Sequence, residues 1–341
     1  MDNVGVAGYG LYRNGTKMTT VTTTSASQTG RLTCGTSYTF GVVARDAAGN
    51  SSKKGQLRIS TSACAVAPTV PPYFVADYAN GALGAPWATL FSQTSPGFVD
   101  LTQAGATTGT SDGRVKVVPS PSGPGNAARF ELRDSDPGWP NNPSLQKSEA
   151  RTVPQQTLNE PGVKVGDVRW FSTRLYLPYT ASEKFEWAHG GSNPFTDIMD
   201  LHPDSSTVWP AFSLSMYPTP GNLNQWAYFR VYGGEFPSTQ YAKRVKLWQL
   251  TGASGARVIS NYNRWIKLTW GMRFAPDSSG WLEVWVDGVN VYPRTNRPTM
   301  WSGDSGQYFK QGLYKQKDAS FPETGRSVLY YGRTTIGLAK P

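Results

Sequence analysis

The chain of 341 residues is poor in cysteine, in histidine and in long apolar runs. Its two cysteines, Cys34 and Cys64, lie in a small β-rich N-terminal region. This placement predicts one disulfide and an oxidising compartment, with two free buried thiols as the alternative. No segment approaches the roughly 20 apolar residues of a membrane-spanning helix. Met1-Asp2-Asn3-Val4 leads directly into strand-like sequence instead of a signal peptide. We therefore expect either that the natural start lies upstream or that the chain is a fragment.

Long stretches with helical periodicity are also missing. The 36 glycines and 25 prolines are too many for a helical protein, and short alternating runs are common, so the sequence predicts an all-β fold. The net charge of +10 is compatible with nucleic acid, an anionic membrane, an acidic polymer or simple solubility. Because the basic residues are spread along the chain, an acidic polymer is favoured over nucleic acid.

Residues 1–66 are predicted to form a separate unit. A strand over 6–12 stops at the hairpin turn 13–15, and a second strand over 37–44 is followed by a turn at 46–50. The patterns G-Y-x-x-Y-R-N-G and T-S-Y-T-F-x-V-x-A-x-D-A-A-G-N resemble a fibronectin type III module. The resemblance implies a small β-sandwich that lacks its first strands here, so we expect part of its core to be exposed.

A proline-rich linker over 67–72 leads into the main domain, predicted over 73–341. Many short strands separated by Gly, Pro and Asn turns in one large unit predict two packed antiparallel sheets. This architecture is a jelly roll, a concanavalin A-like sandwich, which offers a groove for a polymer. The clearest alternating segments are 168–177, 225–231, 265–274 and 281–288.

Only two histidines are present, His189 and His202. His202 ends the run 195–202 just before a turn that contains proline, so a strand ending at a groove would present its imidazole there. A neutral imidazole, with an ordinary pKa of about 6.5, is a ready proton acceptor at neutral pH. A purely structural histidine is the alternative.

The segment 307–315 places Tyr308, Lys310, Gly312 and Tyr314 on one face if it is a strand, because side chains alternate. A polar and aromatic face suits a sugar groove better than a core. Flanking cations favour the phenolate of a tyrosine, which could then donate or accept a proton. The alternative is an amphipathic strand with its polar face in water.

The segment 145–151 directs Lys147, Glu149 and Arg151 to one side if it is extended. Two cations held by a carboxylate between them could bind a uronate carboxyl group, and arginine can do so with two hydrogen bonds. A solvated charge run is the alternative. The alternating segment 128–133 is expected to be the neighbouring strand.

These elements supply the three requirements for elimination at a uronic acid: a cation for the carboxylate, a base for the C5 proton and an acid for the leaving oxygen. The main domain resembles the heparin lyase I-like polysaccharide lyases, a family with a β-jelly-roll fold. The matching segments, in chain order, are R-F-E-L-R at 129–133, K-S-E at 147–149, V-R-W-F-S-T-R-L-Y-L-P at 168–178, the strand that ends at His202, Y-F-K-Q-G-L-Y at 308–314 and Y-Y-G-R-T-T-I-G at 330–337.

The resemblance implies a polysaccharide lyase in which His202 is the base and Tyr314 is the acid. The family often has Gln-Trp before this histidine, where this chain has Asp200-Leu201. At the first position of the family's [R/K]-S-E pattern, this chain has Lys147 and not arginine. Whether Lys147 or Arg151 meets the carboxylate therefore stays open. The K-x-G-x-Y pattern is also similar to jelly-roll alginate lyases, which leaves the uronate polymer unidentified. The implied substrate-binding residues are Lys147, Glu149, Arg151, Tyr308 and Lys310.

The implied reaction requires no redox cofactor. Some relatives hold calcium, so a calcium ion is left open, although no compact run of acidic ligands is present. The expected partner is an anionic, uronate-containing polysaccharide, with neither nucleic acid nor membrane. We expect a secreted bacterial monomer.

Two other functions are alternatives to the lyase. A jelly-roll endoglycosidase of the laminarinase type carries E-x-D-x-x-E on one strand for retaining hydrolysis. The segment 195–200 echoes this motif, but Phe195 stands where the nucleophile is needed, so Asp197 and Asp200 are interpreted as supporting or structural residues. A non-catalytic carbohydrate-binding β-sandwich is the third candidate, since 12 tryptophans and 17 tyrosines would suit stacking on sugars.

Overall fold

The structure, a computed structural model, divides the chain into two compact units, Met1–Thr69 and Val70–Pro341. Each unit is described by itself. Cys34, Cys64 and most of the proline-rich segment lie outside the described residues, so the predicted disulfide and linker remain predictions. The structure describes residues 5–26, 32–33, 35–61, 71–72, 74–84, 87–91, 98–101, 105–140, 142–152, 163–203, 208–218, 221–238, 240, 242–304 and 306–341.

The first unit contains a four-stranded antiparallel sheet in the order β2-β1-β3-β4. Asn14 and Gly15 have φ angles of 49° and 85°, which is the left-handed pair that a two-residue hairpin requires. Leu57 is 64% exposed and Ile59 is 44% exposed, as expected for apolar side chains that no second layer covers in the described part of this unit. Its strands are β1 (Val6–Arg13), β2 (Thr16–Val21), β3 (Ser37–Asp46) and β4 (Gly55–Ser60).

The second unit is built from two antiparallel sheets, as the sequence predicts. An eight-stranded sheet runs in the order β15-β14-β13-β12-β19-β10-β6-β7. Its strands are β6 (Thr89–Phe91), β7 (Phe98–Asp100), β10 (Leu145–Arg151), β12 (Thr196–Pro203), β13 (Phe212–Met216), β14 (Trp226–Val231), β15 (Lys243–Gln249) and β19 (Gln307–Gln316).

A nine-stranded sheet runs in the order β18-β17-β16-β11-β20-β9-β8, and β21 joins β11 to β5 at its side. In the part of the chain that the structure describes, no helix has the length and apolar character needed to cross a lipid bilayer. The strands are β5 (Phe74–Ala76), β8 (Val115–Pro119), β9 (Asn126–Arg133), β11 (Val168–Tyr176), β16 (Trp265–Arg273), β17 (Trp281–Val286), β18 (Val289–Asn296), β20 (Arg326–Tyr331) and β21 (Thr334–Gly337).

The hydrophobic core lies between the two sheets. Phe171 of β11 stacks on Trp270 of β16 with ring centroids 4.8 Å apart, and Phe212 of the facing sheet packs against the same tryptophan. All three rings are almost fully buried, and each such burial stabilises the fold by about 1.5–3 kcal/mol. On β13, Ser213 and Ser215 alternate with the core residues and therefore point to the opposite face of the sheet.

The expected position of the strand over 128–133 is wrong. This strand, β9, lies in the nine-stranded sheet between β8 and β20, not beside β10. Its polar face is occupied by an ion-pair network in which Arg129 contacts Glu131 at 2.6 Å and Glu183 at 2.8 Å. Alternation alone identifies a strand but not the sheet that receives it.

Gly312 interrupts the regular pairing at the centre of β19. The pairing of β19 with β10 is regular, whereas its pairing with β12 shifts register between Asp197 and Met199. Gly312 has a φ of 149°, and a Cβ there would collide with the carbonyl oxygen of Ser148 and lie 2.6 Å from Glu149 Cα. Only glycine fits this irregularity.

We expect Gly312→Ala to destabilise the second unit by roughly 3 kcal/mol, since it introduces both a strained backbone and a backbone collision. Thermal unfolding followed by circular dichroism would measure the change. Gly252→Ala is the matched control, because its nearest added contact, at 3.9 Å, is ordinary van der Waals distance. Equal melting temperatures for the two variants would contradict the requirement for glycine at 312.

Candidate active site

Strands β12 and β19 bring the predicted histidine and tyrosine segments side by side. In the register of this pair, His202 lies opposite Tyr308 and Asp200 lies opposite Lys310. The side chains follow the register: the His202 and Tyr308 rings stack with centroids 5.1 Å apart. The two segments, more than 100 positions apart in sequence, therefore form one surface.

Strand β10 completes this surface from the other side of β19. Lys147 lies opposite Tyr314, Glu149 opposite Gly312, and Arg151 opposite Lys310. The predicted common face of Lys147, Glu149 and Arg151 agrees with the regular alternation of β10, whose intervening side chains are buried.

A cavity of about 390 Å³ opens on this surface. His202, Tyr314, Lys147 and Lys310 all line it. The other predicted substrate-binding residues, Tyr308, Glu149 and Arg151, are not among its lining side chains. Three separate sequence signals thus meet at one cavity, and each of them supplies at least one of its walls.

Lys310 is the centre of a buried ion cluster. Its Nζ lies 3.0 Å from Asp200 Oδ2 and 3.6 Å from Glu149 Oε1, and all three side chains are at least 90% buried. Burial raises the pKa of Asp200, and Lys310 opposes that rise. Burial lowers the pKa of Lys310, but its two carboxylate neighbours outweigh burial and raise it overall. Lys310 is therefore a fixed cation that holds three strands together.

His202 is positioned to accept a proton at one nitrogen. Its Nδ1 lies 2.8 Å from the carbonyl oxygen of Pro203. A carbonyl can only accept, so Nδ1 carries the hydrogen and Nε2 presents its lone pair. Burial, together with the positive charges of Lys310 and Lys147, lowers the pKa of His202 to about 3. The imidazole is therefore neutral throughout the physiological range.

Tyr314, unlike His202, is held in its protonated form. Its ring packs on Phe195 with centroids 5.2 Å apart, and Lys310 Nζ lies 5.6 Å from the ring centre. Burial raises the pKa of the Tyr314 hydroxyl, and the nearby Lys310 only partly offsets this. The expectation that flanking cations favour the phenolate is wrong, because desolvation outweighs their charge. The hydroxyl stays protonated and can act as an acid.

Lys147 rests against two aromatic rings at the cavity wall. Its Nζ lies 4.4 Å from the ring centre of Trp139 and 4.8 Å from that of Phe91, both within cation–π range. Burial lowers the pKa of Lys147 to about 8, while Glu149 opposes the change. The ammonium group is thus poorly hydrated, which strengthens its attraction for an incoming anion.

Arg151 lies one layer behind the cavity. Its guanidinium contacts the rings of Phe91 at 4.9 Å and Tyr308 at 5.7 Å. Nε is buried and has no hydrogen-bond partner among the described residues. Of the two cations that the sequence leaves as alternatives, Lys147 reaches the cavity and Arg151 supports the ring that packs on His202.

Arg230 of β14 is a cavity residue that sequence reasoning missed. It lies 3.4 Å from Asp197 Oδ2, donates to Ser213 Oγ at 3.2 Å and contacts the hydroxyl of Tyr217. Burial lowers the pKa of Arg230, but Asp197 and the neighbouring tyrosines together outweigh burial and raise it overall. The alternation of β14 could have indicated Arg230, whose aromatic neighbours on that strand share its face.

The described residues contain no group of three or more His, Cys, Asp and Glu side chains that could hold a metal ion. The carboxylates of the cavity instead contact cations: Asp200 contacts Lys310, and Asp197 contacts Arg230. One oxygen of each carboxylate, Oδ1, is buried without a hydrogen bond in the described structure.

Residues 96–334, more than half of the 341, match the polysaccharide lyase family. The chain belongs to this family and is a polysaccharide lyase.

A solved structure with a TM-score above 0.5 shares the fold at low sequence identity. An endo-β-1,4-glucuronan lyase from the fungus Trichoderma reesei is 16% identical, with a TM-score of 0.51, over 79% of this chain and 96% of that chain. An alginate lyase from Pseudomonas aeruginosa is 15% identical, with a TM-score of 0.47, over 74% of this chain and 98% of that chain.

A short segment is similar to part of a chitinase. Over 62 residues, 18% of this chain, the sequence is 55% identical to chitinase D of Niallia circulans. The match spans 12% of that chitinase's length. The likeness therefore concerns a small module and not the lyase domain as a whole.

We expect Lys310→Met to destabilise the protein by roughly 3–5 kcal/mol, since it leaves Glu149 and Asp200 buried without their cation. The deficit should shrink as pH falls, because the two carboxyl groups can then be protonated. Urea unfolding at pH 8 and pH 5 would measure both effects. Lys317→Met, at an exposed lysine, is the control. A deficit that is constant with pH would contradict the ion cluster.

Proposed function

We propose that this lyase cleaves a polymer of uronic acid by β-elimination, with His202 as base, Tyr314 as acid and Lys147 as the cation that neutralises the uronate carboxylate. The observation that carries the proposal is the meeting of these three side chains at one cavity, each in the protonation state that its role requires. The proposed roles also follow the resemblance to heparin lyase I-like enzymes.

In the proposed reaction the enzyme takes one proton from the substrate and gives one proton to the leaving group. Nε2 of His202 takes the C5 proton of the uronate at the cleavage point, and the electrons of that bond form the C4–C5 double bond. The C4–oxygen bond breaks, and the Tyr314 hydroxyl gives its proton to the departing oxygen. The products are an unsaturated uronate end and a new hydroxyl end. Solvent then removes the proton from His202 and returns one to Tyr314.

The cations of the cavity suit the charge that develops in this reaction. Removal of the C5 proton places negative charge on the carboxylate, which a poorly hydrated cation stabilises strongly. Lys147 is such a cation, and Arg230 offers a second one on the far side of the cavity. A bound carboxylate would also offset the positive charges that lower the pKa of His202, which makes the imidazole a stronger base when substrate is present.

The remaining predicted residues are assigned supporting roles. Lys310 and Glu149 fix the strand positions, while Tyr308 and Arg151 fix the ring plane of His202. Asp200, which replaces the glutamine common before the family's histidine, is engaged with Lys310 and is not free to act as a nucleophile. This arrangement favours elimination over retaining hydrolysis, which needs two available carboxylates.

Several wider assignments belong to the same proposal. The first unit is proposed to be a partial fibronectin type III module, and the lyase to act as a secreted monomer on an anionic polysaccharide. Glucuronan and alginate, the polymers named for the structures of similar fold, are the first substrates to test. Heparin and hyaluronan extend the panel to other uronate linkages.

We expect His202→Ala and Tyr314→Phe each to lower kcat by at least about 100-fold on a polymer that the unchanged enzyme cleaves, because each removes one proton transfer. The ultraviolet absorbance of the unsaturated product measures elimination. His189→Ala and Tyr292→Phe are matched controls, since neither residue lines the cavity. Full activity in either cavity variant would refute its role.

The substrate panel also separates the alternative functions. Reducing ends that form without the ultraviolet signal would favour a hydrolase. Retention on every polymer without cleavage would favour a carbohydrate-binding protein.

The pKa of about 8 at Lys147 gives a pH prediction. Below this pH the free enzyme carries the ammonium group, and above it the group loses its charge, so KM for a polyuronate should rise above about pH 8. Lys147→Arg keeps its charge in this range and should show no such rise. Initial rates from pH 6 to pH 10 for both enzymes would test this. Parallel KM profiles for both would exclude Lys147 as the carboxylate-binding cation.

A further inference from the structure

A second cavity, of about 680 Å³, opens on the nine-stranded sheet. On β11, Phe171 and Leu175 point into the core, so Ser172 and Arg174 point away from it. The active-site cavity is formed on the other sheet. The two cavities therefore lie on opposite faces of the sandwich, and we call the second one the outer basic cavity. Its lining side chains include Ser172, Arg174, Trp265, Lys267, Arg333 and Thr335.

Three exposed cations converge on the outer basic cavity. Arg174 and Lys267 lie directly opposite each other in the register of β11 and β16. Arg333 follows Gly332, whose amide donates to the carbonyl of Arg174 at 2.8 Å. Like charges on facing positions of a sheet destabilise it. An anionic ligand would relieve this repulsion.

No carboxylate neutralises these cations in the described part of the chain. Asp287 also lines the cavity, but its oxygens accept from the Arg264 guanidinium at 2.6 Å and from the Lys267 amide at 2.8 Å. The Arg174 guanidinium lies 5.2 Å from the ring centre of Trp265, which holds it in place without removing its charge.

The floor of the outer basic cavity is a row of hydroxyl groups. Ser172 lies between Thr269 of β16 and Thr335 of β21 in the strand register, and its Oγ is 3.3 Å from Thr269 Oγ1. Short hydroxyl side chains leave room above the sheet, and they can donate to or accept from the hydroxyls of a sugar. Cations above a hydroxyl floor match a sugar chain that carries carboxylates.

We propose that the outer basic cavity is a second, non-catalytic binding site for a carboxylated polysaccharide. Its volume lies within the range of ligand sites, and guanidinium groups bind carboxylates with two hydrogen bonds. Occupation of this site keeps the enzyme on a long polymer while the active site on the other sheet cleaves it. A second contact has this effect because it raises the local concentration of the polymer at the active site. The ligand class rests on the polyuronate substrate proposed above.

The test compares two triple variants of the full chain that lose the same charge. Arg174→Gln/Lys267→Gln/Arg333→Gln removes the cations of the outer basic cavity, whereas Lys53→Gln/Lys164→Gln/Lys317→Gln removes three exposed lysines elsewhere. Retention is measured by affinity electrophoresis in gels containing polyglucuronate or alginate, with His202→Ala added to prevent cleavage.

We expect the first variant to bind polymer roughly tenfold more weakly and the second to bind normally. With His202 restored, kcat/KM of the first variant on a short oligouronate should equal that of the unchanged enzyme. Equal retention of the two triple variants would overturn the proposal. So would an unchanged polyuronate affinity with a loss of binding to double-stranded DNA, which would indicate a phosphate polymer instead.

The retention assay is independent of turnover. If no polyuronate is cleaved but retention still depends on the three cations, the outer site stands and the proposed reaction fails. If cleavage proceeds while retention ignores the cations, the reaction stands and the outer site fails.

Discussion

The active-site sheet depends on one buried lysine. Lys310 lies on the middle one of three strands and contacts a carboxylate on each neighbour, Asp200 on one side and Glu149 on the other. Any of these charges alone would be expensive to bury, but together they fix the lateral positions of β10, β19 and β12. The proposed base, the proposed acid and the proposed carboxylate-binding cation belong to these same three strands, so the ion cluster holds the geometry of the cavity.

The same cluster sets the electrical environment of the proposed catalytic pair. Positive charge near His202 disfavours its protonation, and burial disfavours ionisation of Tyr314. Desolvation is the largest cause for both groups: it keeps His202 unprotonated with the help of the nearby cations, and it keeps Tyr314 protonated against the effect of Lys310. An acid and a base can coexist in one cavity without exchanging a proton before substrate arrives.

The sequence predicted most of the strands and four of the cavity's lining side chains, those of His202, Tyr314, Lys147 and Lys310. Alternation was sufficient because the strands that carry them are regular and half polar, as β10 shows. The sheet that receives β9 was predicted wrongly, since sheet membership depends on long-range pairing that periodicity does not contain. Arg230 was overlooked because its role becomes visible only through Asp197, which is remote in sequence. Tyr314 was predicted as the acid, but the effect of burial on its hydroxyl could not be predicted from its charged neighbours in the sequence.

The register shift of β12, which occurs against both of its neighbours β13 and β19, changes how this strand presents its side chains. Asp197 and Asp200 are an odd number of positions apart, so a perfectly regular strand would send them to opposite sides of the sheet. The shift in register between them reverses which side chains of β12 face the cavity. Both carboxylates therefore contact cations of the same cavity. One extra residue in β12 relative to β13, between Asp197 and Met199, thus brings onto one face two carboxylates that a regular strand would separate.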